Sequence, residues 1–395
     1  MSIKIKQQRR HIILAAAALC AGFALPSAHA ADPLRVGLIV PMSGPFASTG
    51  RQVEAAVRLF MQQNGNTVAG RTVEIILKDD GGLAPDVTKR LAQELISRDK
   101  VQVLAGFGLT PLAFAAAPVA TQAKVPMIVM NAATSVIVQR SPYIVRTGFT
   151  LAQVTAPLAQ WAAKNKIKTV MTLVSDYGPG IDAEKVFVKD FTAAGGKVVA
   201  SVRAPLRNPD YSPFLARAKD AHPDALFVFV PSGEGSAVLK QFTDRGLAGA
   251  GIRLIATGDV LDDDLMPSIG NAALGVISSH HYSAAHPSAE NKAYVAAFTK
   301  ANPGMRPNFH SVGAYDGMHL LYAALQKTKG NSDGPALIEA MKGMSWTSVR
   351  GPVTIDPASR DLVQNVYIRK AEQKDGAVYN VEFDQVDKVK DPGVD

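Results

Sequence analysis

Cysteine is almost missing from this chain: Cys20 is the only one in 395 residues. A single thiol excludes a disulfide framework and a thiolate metal cluster. Charge of one sign is also scarce once position is considered. The formal charge is +8, but Lys4, Lys6, Arg9 and Arg10 supply half of it with no acid nearby, and without them +4 remains. The other basic residues are dispersed and form no stripe interleaved with aromatics, so a nucleic-acid partner is not expected. Beyond the first thirty residues no apolar run is long enough to cross a membrane. No low-complexity tract suggests a long disordered arm.

What is present begins with a secretory pattern. The four basic residues precede the apolar run IILAAAALCAGFAL, then Pro26 and the small-residue exit Ala28-His29-Ala30. The run is short for a membrane anchor, and an anchor lacks the A-x-A exit. Leu19 stands where a small residue would precede a lipidated cysteine. Residues 1–30 are therefore expected to be a cleaved signal peptide, which removes Cys20 as well. The remaining length suits two domains without covalent staples.

From residue 34 short apolar runs alternate with amphipathic helices. LRVGLIV, VEIILK, VQVLAGF and VPMIVM read as strands. Between them, Val53, Val57 and Phe60 share one helical face, and Val87, Leu91, Leu95 and Ile96 share another. Continuous apolar strands each followed by a helix indicate a parallel sheet covered on both faces. The pattern then restarts with LAQVTAPLAQWAAKN as a helix and KTVMTLVS, KVVASV, DALFVFV and IRLIAT as strands. Two similar α/β lobes are the economical account. Near the end, VYIRKAE and AVYNVEF read as an antiparallel pair. Irregular stretches at 145–149, 282–287 and 348–352 are expected to join the lobes as a hinge.

Ligands of open α/β sheets bind beyond the carboxyl ends of the strands. In the first lobe these exits are Met42-Ser43-Gly44-Pro45-Phe46-Ala47-Ser48-Thr49-Gly50, Gly106-Phe107-Gly108-Leu109-Thr110-Pro111 and Asn131-Ala132-Ala133-Thr134-Ser135. Each brings hydroxyls to a helix start, where free N–H groups favour an anion; Ser and Thr there are also ordinary caps. In the second lobe, Ser175-Asp176-Tyr177-Gly178-Pro179-Gly180, Pro231-Ser232-Gly233-Glu234-Gly235 and Thr257-Gly258-Asp259-Val260 offer an aromatic, a hydroxyl and an acid. Tyr177 can close over an apolar ligand or pack at the hinge, and Asp259 can meet an ammonium or cap a helix.

Other chemistries find little support. Gly106-x-Gly108 runs into Pro111 and Gly233-x-Gly235 into Val238, so no dinucleotide fingerprint is complete and no cofactor is expected. His280 and His281 are adjacent, and on a strand they would face opposite ways, so with His286 they do not suggest a metal site. Asp79-Asp80 reads as a pair of solvated loop acids, and Asp262-Asp263-Asp264 as the cap of a helix starting near Leu265. No G-x-S-x-G elbow occurs, and nothing specifies His310 and Asp316 as partners of a serine, so an enzyme is not expected.

The stretches VGLIVPMSGPFASTGRQVEAAVRLF, KDDGGLAPDVTKRLAQELISRDKVQVLAGF, VPMIVMNAAT, SDYGPG, LKQFTDRGL and AYDGMHLLYAAL together resemble the type I periplasmic solute-binding proteins, in the leucine/isoleucine/valine-binding branch. The resemblance covers nearly the whole mature chain. It implies an α/β fold of two Rossmann-like lobes with parallel central sheets and a three-stranded hinge, closing like a flytrap. Lobe 1 is then 32–148 plus 284–350, and lobe 2 is 149–283 plus 351–395. It implies a periplasmic, monomeric component of an ABC importer that hands a small carboxylate to a permease with cytoplasmic ATPases, without cofactor, metal or catalysis. A ligand-sensing protein of the same fold is the alternative. By the same resemblance the carboxylate falls to Thr110, Ala132, Ala133 and Thr134, the aromatic lid to Tyr177 and an amine-binding acid to Asp259. Thr49 and Ser232 stand where some relatives carry aromatics, so the amine half is incomplete. The closing stretch SVRGPVTIDPASRDLVQNVYIRK looks most like relatives that take up benzoate derivatives. For a ring-bearing ligand, Phe46, Tyr177, Phe309 or His310 would pack on the ring. The ligand is thus expected to be either an aliphatic amino acid or an aromatic acid.

Overall fold

The computed structural model describes residues 31–393, so the secretory stretch 1–30 lies outside the described residues. The first sheet holds β1 (Ala31–Val40), β2 (Thr67–Val68), β3 (Arg71–Asp79), β4 (Val103–Gly106), β5 (Met127–Val129) and β6 (Ile144–Arg146), in the order β2-β3-β1-β4-β5-β6. Its centre is parallel, with Val36 opposite Val103 and Leu104 opposite Met127. Helices α1 (Ala47–Asn64), α2 (Pro85–Ser97) and α3 (Thr110–Ala123) make the crossovers. Their apolar faces follow the sequence spacing: Val53, Val57 and Phe60 are buried, as are Leu91 and Leu95. Chain direction across the sheet reverses between β1 and β4, which opens a crevice at their carboxyl ends.

The second sheet runs β12-β13-β14-β11-β10-β9-β7-β8, with β15 on β14. Strands β7 (Thr169–Ser175), β8 (Lys197–Ala204), β9 (Ala225–Phe229), β10 (Arg253–Thr257) and β11 (Ile277–His280) are parallel neighbours. The others, β12 (Ser345–Ser348), β13 (Gly351–Ile355), β14 (Leu362–Lys374) and β15 (Ala377–Val389), pair antiparallel. Around this sheet lie α4 (Leu151–Lys164), α5 (Gly178–Ala193), α6 (Ser212–Ala221), α7 (Gly235–Asp244) and α8 (Met266–Ile269). Here the reversal falls between β7 and β9. After β11 the chain forms α9 (Ala289–Ala301), α10 (Phe309–Lys327) and α11 (Gly334–Met341), with α9 and α10 packed on α1. Both sheets belong to one compact unit that starts at Pro33.

Buried arginines tie the connecting backbone together. Arg350 donates to Thr147 O at 2.7 Å and Gly148 O at 3.1 Å, and it pairs with Asp316 of α10 at 2.5 Å. Arg146 pairs with Asp361 at 2.8 Å, and Arg369 donates to the carbonyl of Tyr282. Guanidinium suits this task because one planar group satisfies several carbonyls at once.

Two readings of the sequence are corrected. Asp80 is not solvated: it is 1% exposed and its Oδ2 has no hydrogen-bond partner among the described residues, while Asp79 stays exposed and accepts from the N–H groups of Met42 and Gly81. His280 and His281 do not diverge either. Strand β11 ends at His280, the chain leaves the pleat there, and the two rings meet with centroids 4.4 Å apart.

Candidate functional site

The two crevices face each other, and between them lies a small cavity lined by residues of both lobes. Local backbone demands explain why the loops reach it. Strand β4 ends at Gly106, whose φ is +106°, and a β-carbon there would lie 2.4 Å from Ile39 O. Only glycine lets the chain turn so close to β1. Phe107 follows at φ +67° with its side chain buried, a strained conformation held by packing.

Of the residues singled out from the sequence, Phe46, Thr49, Thr110, Ala132, Ala133, Tyr177, Ser232 and Asp259 line the cavity. Thr134 stands just behind it, where its Oγ1 accepts from Thr110 Oγ1 at 3.1 Å. Phe309 does not reach the lining. Helix α10 starts at this residue, and its ring turns into an aromatic cluster with Phe149 and His280. The next residue, His310, lines the cavity instead. Asn308 fixes this start by accepting from the N–H groups of His310 and Ser311 at 3.0 and 3.2 Å. Sequence reasoning also passed over Asn131, Phe149 and Phe229 as lining residues. Phe229 ends a strand that is apolar throughout, so nothing in the pattern separates it from core. Asn131 had a signal, as the one amide in a run of small residues at a strand exit.

The polar groups divide by what they can offer. On the first lobe, Thr110 spends its hydroxyl hydrogen on Thr134, leaving the Thr134 hydrogen free. The Ala132 N–H is committed to Phe107 O at 3.0 Å. The main-chain N–H groups of Ala133 and Thr110 have no partner among the described residues, so this side presents donors. Across from it, Ser232 donates to Asp262, and Asp259 accepts from Thr257 Oγ1 at 3.0 Å. That side presents acceptors. The Asp262 carboxylate also receives the Asn308 amide at 2.9 Å, while its main-chain oxygen accepts from Leu265 and Met266 at the start of α8.

Among the described residues no lysine or arginine lines the cavity. Burial consequently dominates every titration in it. Asp259 is pushed up to about 6 by desolvation, which the nearby His310 and the Thr257 hydrogen bond only partly oppose. Burial lowers His310 to about 3, so its imidazole is neutral. The Tyr177 phenol is raised well above its usual range by burial and then by Asp259. The Tyr177 ring stacks on Phe229 with centroids 6.0 Å apart and planes 20° apart, and Phe46, Phe149, Pro179 and Pro231 complete the apolar wall.

The lobes meet around the cavity. Ser135 N donates to Asp182 Oδ2 at 3.0 Å, Ser48 Oγ to Asp264 Oδ2 at 3.1 Å, and Arg207 to Leu83 O at 2.7 Å. A β-carbon on Gly178 would lie 2.6 Å from Thr134 Oγ1, so α5 sits directly against the β5 loop. Among the described residues no group of three or more His, Cys, Asp or Glu is placed to hold a metal ion, and no helix is long and apolar enough to cross a membrane.

Two α/β lobes closed on a small, largely apolar cavity with a donor side and an acceptor side define a solute-binding protein. Comparison with known proteins agrees. The family described as "Periplasmic binding protein" matches residues 33–377. Leu/Ile/Val-binding protein homolog 6 of Brucella abortus (strain 2308) is 46% identical over 372 residues, 93% of this chain and 95% of that protein. A solute-binding protein of an ABC transporter from Rhodopseudomonas palustris BisB5, solved with 3,4-dihydroxybenzoic acid, is 60% identical with a TM-score of 0.89, covering 91% of this chain and 99% of that one. Its counterpart from Rhodopseudomonas palustris HaA2, solved with p-hydroxybenzoic acid, is 45% identical with a TM-score of 0.89 over the same shares. The chain belongs to the periplasmic binding protein family, and it is a solute-binding protein of an ABC transporter.

Proposed function

We propose that this protein captures a hydroxylated aromatic carboxylate of the benzoate type and delivers it, as a monomer, to a permease driven by cytoplasmic ATPases. The observation that carries the reading is the separation of donors and acceptors across an aromatic slot. The Thr110 and Ala133 N–H groups offer donors from the first lobe, with the Thr134 hydroxyl behind them, while Asp259 and Ser232 line the cavity from the second. A hydroxybenzoate carries its carboxylate and its hydroxyl at opposite ends of a flat ring and suits this arrangement. An α-amino acid carries carboxylate and ammonium on one carbon. The carboxylate is held by neutral hydrogen-bond donors, as buried anions often are when donors are preorganised, and the ring lies along Tyr177, Phe229 and Phe46.

Residues 1–30 direct export to the periplasm and are cleaved off there. Closure brings lobe 1 (32–148 plus 284–350) onto lobe 2 (149–283 plus 351–395). A titration series with benzoate, 4-hydroxybenzoate, 3,4-dihydroxybenzoate, leucine and valine tests the reading by calorimetry and by melting temperature. Hydroxybenzoates are expected to bind and raise the melting temperature; binding confined to the amino acids would overturn it.

A further inference from the structure

A benzoate-type acid is an anion at neutral pH, and the wall that receives it already holds a carboxyl group. Among the described residues Asp259 is the one acid lining the cavity. It accepts from Thr257 Oγ1 at 3.0 Å and from its own main-chain N–H, and neither donor carries a charge. On β11, His280 brings Nε2 to 3.5 Å from Asp259 Oδ2; on α10, His310 lines the cavity beside it. Tyr177 faces it from the start of α5, Asp262 from the same loop, and Arg369 from β14. Both histidines are buried and thereby held neutral, as is His281, whose ring packs on His280. Arg369 is the one guanidinium in this group, and it is already matched by Asp263 at 4.0 Å and by Glu382. Arg350, further off, is spent on Asp316 at 2.5 Å.

An ionised ligand beside an ionised Asp259 puts two negative charges in one buried space with no cation to spare. Burial and a like charge both favour the neutral form of a carboxyl group, so one of the two keeps a proton. We propose that the cavity takes its anionic ligand together with one proton, held on the Asp259 carboxyl, so that capture is coupled to proton uptake. This rests on the aromatic-carboxylate reading of the site, since an amino acid brings its own ammonium to that carboxylate and needs no proton. A carboxylic acid keeps an oxygen that can accept a ligand hydroxyl, so the acceptor side survives neutralisation. His280 Nε2, buried and without a hydrogen-bond partner among the described residues, is placed to receive the added hydrogen. In the unliganded protein burial raises Asp259 to about 6, so above that pH it is mostly ionised and must gain the proton on binding. The ligand's charge raises it further, so affinity is full below about 6 and falls as pH rises.

The test is calorimetry of the signal-free chain with 4-hydroxybenzoate in buffers of different ionisation enthalpy, which counts the protons exchanged. Uptake of about 0.5–1 proton per ligand is expected at about pH 7.5, with Kd weakening about five- to tenfold from about pH 6.5 to 7.5. Asp259→Asn, an uncharged mimic of the protonated acid, should abolish the uptake, flatten the pH dependence and bind more tightly than wild type at about pH 8. Wild-type uptake below about 0.2, or a Kd that stays flat over this range, overturns the proposal and leaves the aromatic reading standing. So does uptake that persists in Asp259→Asn, because the proton then resides on a histidine or on the ligand's own carboxylate. If Asp259→Asn does not fold, infrared difference spectra of the wild type with ligand isotope-labelled at its carboxyl decide. A new protonated-carboxyl band that the label does not shift supports the proposal, and its absence overturns it. Failure of every benzoate to bind, with leucine bound, sinks the aromatic reading and this proposal with it.

Discussion

Replacing Gly178 by alanine should weaken ligand binding while sparing the unliganded protein. The added β-carbon would lie 2.6 Å from Thr134 Oγ1 and 3.5 Å from Thr110 Cγ2. The second distance is ordinary contact, but the first lies well inside the ~3.5–4.0 Å optimum for packed atoms. Relief requires Thr134 to swing off its hydrogen bond with Thr110 or the lobes to stop short of full closure. Overpacking of this kind costs about 1–3 kcal/mol, which corresponds to roughly 5- to 150-fold in Kd. The cost should fall on the closed form, because Thr134 and Thr110 belong to the other lobe. Within α5 itself alanine is the better helix former, and Gly178 is not among the residues of positive φ. Calorimetry with the tightest-binding benzoate, alongside melting of the unliganded variant, measures the two effects separately. A Kd within twofold of wild type would refute the idea that Gly178 is kept small for closure.

Other perturbations follow from the same contacts. Arg350→Met strands Asp316 in the interior, since this guanidinium is its only cationic partner among the described residues and both groups are 2% exposed or less. Breaking such a pair typically costs about 3–5 kcal/mol; urea titration should show that loss, and adding Asp316→Leu should recover part of it. Asp80 bears on pH. Burial raises its pKa from 3.8 to about 6, so the folded state favours the protonated form. Its contribution to stability is full below 3.8 and is lost as pH rises through about 6, up to about 3 kcal/mol in all. Asp80→Asn should flatten that part of the stability profile between pH 4 and 7, and an unchanged slope in urea titrations would place the titrating group elsewhere.

The strand exits could be read from the sequence because a parallel sheet writes itself as apolar runs followed by helices, and its chemistry must then gather where those runs stop. That logic located Thr110, Ala133, Tyr177 and Asp259 on the cavity without knowledge of how the lobes face each other. It failed where one residue of register decides the outcome. Phe309 and His310 are neighbours at the start of α10, and the Asn308 cap sends the first into the core and the second to the cavity. His280 and His281 fall on opposite faces only if a strand continues through both, and β11 ends between them. Asp80 looks solvated from its turn-like neighbours, and only the tertiary packing buries it. The hydrogen-bond donors and acceptors of the site lie further still from the sequence. Whether Ala132 or Ala133 has a spare N–H depends on the Phe107 carbonyl, and whether Asn131 presents oxygen or nitrogen depends on a histidine 179 positions away. Pattern therefore specifies which loops gather at the cavity, while the donors and acceptors they present are set by long-range contacts that only the folded chain displays.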